Sequence, residues 1–255
     1  FTPGNWNTAQ TVTVTRVDDV LIDGNQSTTV TLAVDDGSSD DDFDALADQT
    51  VTIIPVWHVD TNSPSDGPGT AWGNAFHTIQ DAVDAAAGGG IVLVNDGVYN
   101  AGGAAVDGVN YRVALTPGVL VRSVNGPAYT TIAGVGGYGP SAVRCAYLAD
   151  NTTMAGCTLS GGYTHNDTGT DREKGGGGAW LEPGSRLEDC VVSGCRAYDS
   201  GGGVYCNGGG VVEDCTLVGN QAVGKGGGIY FNLGGMARNC TIRDGRGTGG
   251  GAYCG

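Results

Sequence analysis

The chain has 255 residues, 48 of them glycine. Glycine at that level, with no triplet period and no matching proline, excludes collagen and points to many tight turns, where only glycine enters left-handed backbone freely. Acidic residues outnumber basic ones 27 to 12, a net charge of −15, which argues against nucleic acid or an anionic membrane as partner, and no apolar run reaches the ~20 residues that span a bilayer.

The chain opens with alternating runs. Thr11-Val12-Thr13-Val14-Thr15 and Thr29-Val30-Thr31-Leu32 alternate strictly, and Val51-Thr52-Ile53-Ile54 is a third β-prone run. These predict strands of an antiparallel sheet. Between them lie acidic loops: Asp18, Asp19 and Asp23, then a denser run through Asp35, Asp36, Asp40, Asp41, Asp42 and Asp44. Calcium takes six to eight oxygens, so Asp18, Asp19 and Asp23 are the candidate calcium ligands, against the alternative of a solvated acidic loop.

Next comes a short helix over 78–87. Thr78 and Asp81 have capping-box spacing with Asp in the usual Glu place, and Ile79, Ala82, Val83 and Ala86 share a face. Ile91-Val92-Leu93-Val94 follows as a buried strand and Asn95-Asp96-Gly97 as a turn. A solenoid needs a cap over its first coil, and this helix suits that role.

Beyond it the sequence repeats. Gly176-Gly177-Gly178-Ala179-Trp180 returns as Gly201-Gly202-Gly203-Val204-Tyr205, Gly226-Gly227-Gly228-Ile229-Tyr230 and Gly249-Gly250-Gly251-Ala252-Tyr253, in steps of 25, 25 and 23 residues. Cys190-Val191-Val192, Cys215-Thr216-Leu217 and Cys240-Thr241-Ile242 keep the same step, each Cys 10 residues after its aromatic. Tyr147 and Cys157 share that offset. The interval from Cys157 to Cys190 is 33 residues, so that coil carries an insertion, placed at 163–174. Short β-branched runs separated by glycine turns, two or three strands per repeat and no helical spacing, predict a right-handed parallel β-helix. Like side chains would then stack coil on coil about 4.8 Å apart. Three ladders are expected: Tyr147, Trp180, Tyr205, Tyr230, Tyr253; Cys157, Cys190, Cys215, Cys240; and Leu148, Leu181, Cys206, Phe231, Cys254.

The stretch Trp57-His58-Val59-Asp60, Gly69-Thr70-Ala71-Trp72, Phe76-His77-Thr78-Ile79-Gln80-Asp81-Ala82-Val83 and Val94-Asn95-Asp96-Gly97-Val98-Tyr99 resembles the opening of bacterial secreted proteins with the pectin-lyase-like β-helix fold. The Gly-Gly-Gly-Val-Tyr and Cys-Thr-Leu phrases resemble coils of that group and of polymorphic outer-membrane-protein passengers. Phe1-Thr2-Pro3-Gly4-Asn5-Trp6, with Thr11 to Val14, Asp18-Asp19 and Asp23-Gly24, is similar to the C-terminal half of Calx-β-like domains, which implies an extracellular setting, often with calcium. The expected organisation is an all-β chain with a partial antiparallel β-sandwich at 1–55 and a β-helix at 56–255, both units unfinished at their outer ends. Such ends suit either a piece of a longer chain or head-to-tail self-association by strand addition.

Function is less specified. The eight cysteines fit no zinc spacing and most read as small buried hydrophobes, with disulfides between neighbours of the Cys ladder or from Cys195 as the alternative. The insertion gathers His165, Asp167, Asp171, Arg172, Glu173 and Lys174 on a loop leaving the solenoid, which makes His165, Asp167, Asp171 and Arg172 the candidate ligand-binding residues, against a plain polar loop. Asp189 and Asp214 stack behind Glu188 and Glu213 as an exposed acidic ladder. The Asn-Thr-Asp, Gly-His-Asp and Arg-Ile-Lys phrases of hydrolases with this fold are absent, so no catalytic residue is assigned. The expectation is a non-enzymatic structural or adhesive segment of a secreted or cell-surface protein. The alternative is a polysaccharide lyase, a glycoside hydrolase or a carbohydrate-binding module.

Overall fold

A computed structural model of the chain describes residues 28–32, 49–166 and 170–255. Thr28–Leu32 and Gln49–Ile53 pair as antiparallel strands with Thr28 opposite Ile53. The rest of the expected sandwich unit, including the run at 11–15 and the calcium candidates Asp18, Asp19 and Asp23, lies outside the described residues, as does Asp167.

From Val56 onward the chain is a right-handed parallel β-helix. Its first sheet stacks Val109–Leu115, Arg144–Leu148, Ala179–Leu181, Val204–Asn207, Ile229–Asn232 and Ala252–Cys254 in parallel, with Ala104–Val106 antiparallel at one edge. A second sheet runs from Val56–Val59 to Met236–Arg238 and a third from Gly97–Tyr99 to Thr241–Arg243. A short fourth sheet, Arg196–Ala197, Gln221–Lys225 and Arg246–Thr248, adds a strand to the two or three expected per coil. It forms because the chain stays extended after the third corner before reaching the glycine triplet.

All three expected ladders are present. Tyr147 pairs with Trp180, Trp180 with Tyr205, Tyr205 with Tyr230 and Tyr230 with Tyr253. Leu148, Leu181, Cys206, Phe231 and Cys254 follow the same registers. The cysteines precede the third-sheet strands, and the amide of Cys157 donates to Cys190 Sγ, as that of Cys190 does to Cys215 Sγ, each at 3.4 Å. All eight cysteines are free thiols. Burial pushes the Cys157 thiol up to about 12, as expected of cysteines that serve as small core residues. Cys195 stands beside Cys145, outside that ladder.

The corners explain the acidic ladder. Asp189, Asp214 and Asn239 sit at φ 49°, 52° and 52°, left-handed backbone that Asp and Asn tolerate better than most residues. Their side chains are exposed, so a turn requirement accounts for them. The glycine triplets answer a different need. A Cβ on Gly177 would stand 2.4 Å from the Arg196 carbonyl oxygen, and one on Gly203 2.6 Å from the Gly228 carbonyl oxygen. Successive coils approach too closely there for any side chain.

Helix α1 (Ile79–Ala85) caps the first coil, packed against Val56–Val59, Gly90–Val94 and Val109–Leu115. Thr78 is its N-cap, its hydroxyl accepting the Asp81 amide at 3.2 Å and donating to the Asp81 carboxylate at 2.5 Å. The acid therefore turns to the cap hydroxyl, where a full capping box would use the cap amide. Ile79, Ala82, Val83 and Ala86 are buried as the periodicity requires. Gln80 is buried too, because its amide pairs with both backbone groups of Ala114 and satisfies the open edge of the first sheet.

Candidate functional site

Side chains of the first sheet alternate across its two faces. Ala146, Leu148, Ala179, Leu181, Val204, Cys206, Ile229 and Phe231 point into the main core. The rings between them form a separate cluster on the outer face, where Tyr111, Trp180 and Tyr205 are joined by Tyr147 and Tyr230. Trp180 and Tyr205 stack 4.1 Å apart at 6°, Tyr205 and Tyr230 lie 5.0 Å apart, and Tyr230 and Tyr253 5.9 Å apart at 12°. The row is covered in its middle: Trp180 is 3% and Tyr205 1% exposed. Tyr147, Tyr230 and Tyr253 remain half-buried.

The insertion supplies the cover. Its helical turn α2 (Asp171–Lys174) lies across the ladder, with the Arg172 guanidinium 5.5 Å from the Tyr147 ring and 5.3 Å from that of Trp180. Gly175 passes so close to Tyr205 that a Cβ would stand 2.6 Å from the ring. Arg144, 1% exposed, holds this strap down. Its Nε donates to the Gly175 carbonyl at 3.0 Å and one terminal nitrogen donates to the carbonyls of Arg172 and Glu173 at 2.7 and 2.5 Å. Its charge also rests on the Tyr111 ring at 5.4 Å.

At the mouth of the strap, two residues past each ring, stands a polar row: Glu182, Asn207 and Asn232. The Glu182 carboxylate accepts from Arg172 at 2.5 Å, Trp180 Nε1 at 3.0 Å, the Tyr147 hydroxyl at 3.3 Å and Asn207 Nδ2 at 2.7 Å. An ionised carboxylate only accepts, so Asn207 must turn its NH2 to Glu182 and its oxygen outward. That oxygen takes Asn232 Nδ2 at 3.3 Å. The row is thus polarised toward Glu182. Arg172 Nη1 lies 3.4 Å from Asp107, within ion-pair range but without hydrogen-bond geometry.

These groups border an open cleft of about 600 Å³ whose lining includes Asp107, Asp171, Arg172, Trp180, Asn207 and Asn232. A neighbouring hollow of about 470 Å³ shares Asn207 and is walled by Tyr147, Asp150 and Glu182. Of the residues expected to bind ligand, Asp171 and Arg172 line the cleft. His165 is buried at the base of the insertion, its amide donating to the Glu173 carbonyl. Glu182, Asn207 and Asn232 escape the sequence reading, although they recur at the 25-residue step two places after each ring. Among the described residues, no three His, Cys, Asp or Glu side chains are grouped to hold a metal ion.

The Tyr111 hydroxyl is buried without a hydrogen-bond partner, and burial pushes its phenol up to about 12 from an ordinary 10. A raised folded-state value means that the stabilisation is complete below pH ~10 and lost as pH climbs through about 12, at a cost of roughly 3 kcal/mol. Burial raises Tyr99 and Tyr205 in the same direction. We therefore expect denaturant stability to begin falling near pH 9, where the thiols of the unfolded chain ionise and buried ones such as Cys157 resist, and to fall further above about pH 10 as the phenols join them. Tyr111→Phe should match or exceed the parent at neutral pH, because it removes an unsatisfied hydroxyl, and should fall less steeply in alkali. An unchanged alkaline slope in the variant would remove Tyr111 from this account.

No family model matches the sequence, and no curated protein does. Two solved structures are similar in fold: pectin methylesterase PemA from Erwinia chrysanthemi, and a pectin methylesterase mutant in complex with a hexasaccharide. Each is 16% identical with a TM-score of 0.42, over 69% of this chain and 53% of theirs. The chain spans about half the length of these structures, and the likeness is one of general architecture.

Proposed function

We propose that the outer face of the first sheet binds an extended polysaccharide lying along the solenoid axis, on a rigid rod belonging to a secreted or cell-surface protein. The observation that carries this reading is the row Glu182, Asn207 and Asn232, one polar group per coil along the cleft, flanked by the partly exposed rings of Tyr147, Tyr230 and Tyr253. Rings stack on the apolar faces of sugars, and amides and carboxylates orient hydroxyls. A cleft of about 600 Å³ falls within the range of ligand sites.

Binding is favoured over cleavage by the state of Glu182. Four donors already occupy its carboxylate, whereas a nucleophile or general base needs a lone pair aimed at the substrate. The test is calorimetry and affinity electrophoresis against a panel of polysaccharides. Asn207→Ala and Asn232→Ala are each expected to weaken binding about tenfold, the worth of one good hydrogen bond, with circular dichroism unchanged. New reducing ends or unsaturated products would replace this reading with an enzymatic one, and failure to bind any member of the panel would end it.

A further inference from the structure

Two thiols outside the cysteine ladder meet beneath the root of the insertion. Cys145 Sγ lies 3.3 Å from the Ser160 carbonyl oxygen and Cys195 Sγ 3.8 Å from that of Leu159, so both sulfurs reach the same stretch of chain just before the insertion leaves the solenoid. They are within hydrogen-bonding reach of each other. Both are thiols in the structure, belong to the main core and are shut off from solvent. The backbone around them is glycine: a Cβ on Gly162 would stand 3.0 Å from Cys145 Sγ, and one on Gly178 3.2 Å from Cys195 Sγ. Gly162 precedes the insertion and Gly178 follows it, so the sulfur pair touches the chain at both places where the strap is rooted.

The ladder cysteines are placed differently. Cys157, Cys190, Cys215 and Cys240 hold one position on successive coils, with amide-to-sulfur contacts along the row, so their side chains run parallel at about the 4.8 Å strand spacing. A disulfide needs Cβ atoms about 3.5–4.5 Å apart and Cβ–S bonds crossed at roughly 90°. Cys145 lies in Arg144–Leu148 of the first sheet, whereas Cys195 follows Val191–Ser193 of the third, so these two approach from different sheets.

We propose that Cys145 and Cys195 form a disulfide that locks the base of the strap and with it the cleft that the strap borders. The bond closes a loop holding the insertion, Trp180 and Glu182, and a cross-link over a long loop restricts the unfolded chain strongly. The two thiols give up two protons and two electrons, and a small-molecule or enzyme-borne disulfide takes them up as two thiols through a mixed-disulfide intermediate. Exchange takes place while the coils assemble, since the closed pair is out of an oxidant's reach, and the same burial then shields the bond from reductants. Only the setting is taken from the proposed function, because secreted chains fold among such oxidants. The chemistry is tested on the purified chain, and a failure of glycan binding would leave it standing.

The experiment refolds the full chain from denaturant with and without a mixture of oxidised and reduced glutathione, blocks the remaining thiols under denaturing conditions and maps tryptic peptides without reduction. Peptides 145–172 and 187–196 are expected as a linked pair. Each also carries a ladder cysteine, Cys157 or Cys190, so fragmentation between the two cysteines of each peptide locates the bond. The oxidised form should melt about 5 °C or more above the reduced one, and trypsin should cut its strap more slowly. Both differences should vanish in Cys145→Ser and Cys195→Ser and persist in Cys157→Ser. Eight free thiols after oxidative refolding, or a bond from Cys157 to Cys190 in its place, overturns the assignment. Identical melting and strap cleavage for the bridged and reduced chains overturns the role as a lock. If a serine variant does not fold, the peptide map and the melting of the two forms of the parent chain decide.

Discussion

Replacing Arg144 with leucine is expected to cost about 4 kcal/mol of stability and to open the insertion to trypsin at Arg172 and Lys174. The side chain is 1% exposed and donates to three carbonyls of the strap, those of Arg172, Glu173 and Gly175. Each bond has a charged donor and is worth about 1.5–3 kcal/mol. The sum is reduced because a released strap regains water and chain entropy. Burial lowers the Arg144 value below the arginine norm, but a guanidinium keeps its proton in proteins, so the effect is one of geometry at any ordinary pH. Arg144→Lys separates charge from geometry. An ammonium keeps the cation over Tyr111 but lacks the planar fork that reaches Gly175 and the two carbonyls together, so it should recover less than half of the loss. Limited trypsinolysis run beside urea unfolding makes the check. Cleavage in the strap should precede global unfolding in the leucine variant. A strap as trypsin-resistant as the parent's would show that something other than Arg144 holds it.

The coil architecture was legible because two phrases kept step. The offset of 10 between Trp180 and Cys190 recurs in Tyr205 and Cys215 and in Tyr230 and Cys240, and two features of one coil hold register only if the coil closes at a fixed length. The 33-residue interval marked the insertion for the same reason. The direction of the rings was not legible. In Ala179-Trp180-Leu181 every residue is apolar, so period-2 alternation does not tell which face is the interior. Arg144 carried no signal at all, since its partners lie 28 to 31 residues further on in an insertion that breaks the repeat. The Glu182, Asn207, Asn232 row did carry one, the 25-residue step. It was masked because the residue type changes along it from carboxylate to amide. The insertion itself divides by function. Asp171 and Arg172 reach the cleft, whereas His165 is buried at its base, a split that composition cannot reveal.

Glu182 joins the strap to the solenoid, so its removal should act on both stability and binding. Its residue is 7% exposed, and its carboxylate ties Arg172 of the strap to Trp180, Tyr147 and Asn207 of three successive coils. Glu182→Leu leaves the Arg172 charge and two N–H donors without an acceptor, a loss of about 3–5 kcal/mol. Glu182→Gln preserves shape but presents an NH2 to either Arg172 or Asn207. One donor then faces another, at a cost of about 1.5–3 kcal/mol. If the amide turns its NH2 to Asn207, that residue must flip, and Asn232 must flip after it. The polarity of the whole row reverses, and binding should fall further than Asn207→Ala alone lowers it. A double-mutant cycle pairing Glu182→Gln with Arg172→Met isolates the ion pair. A coupling of at least about 1 kcal/mol in urea unfolding is expected, because the pair is largely shielded from water. Strict additivity would mean that the strap is held by Arg144 alone and that Glu182 serves only the ligand.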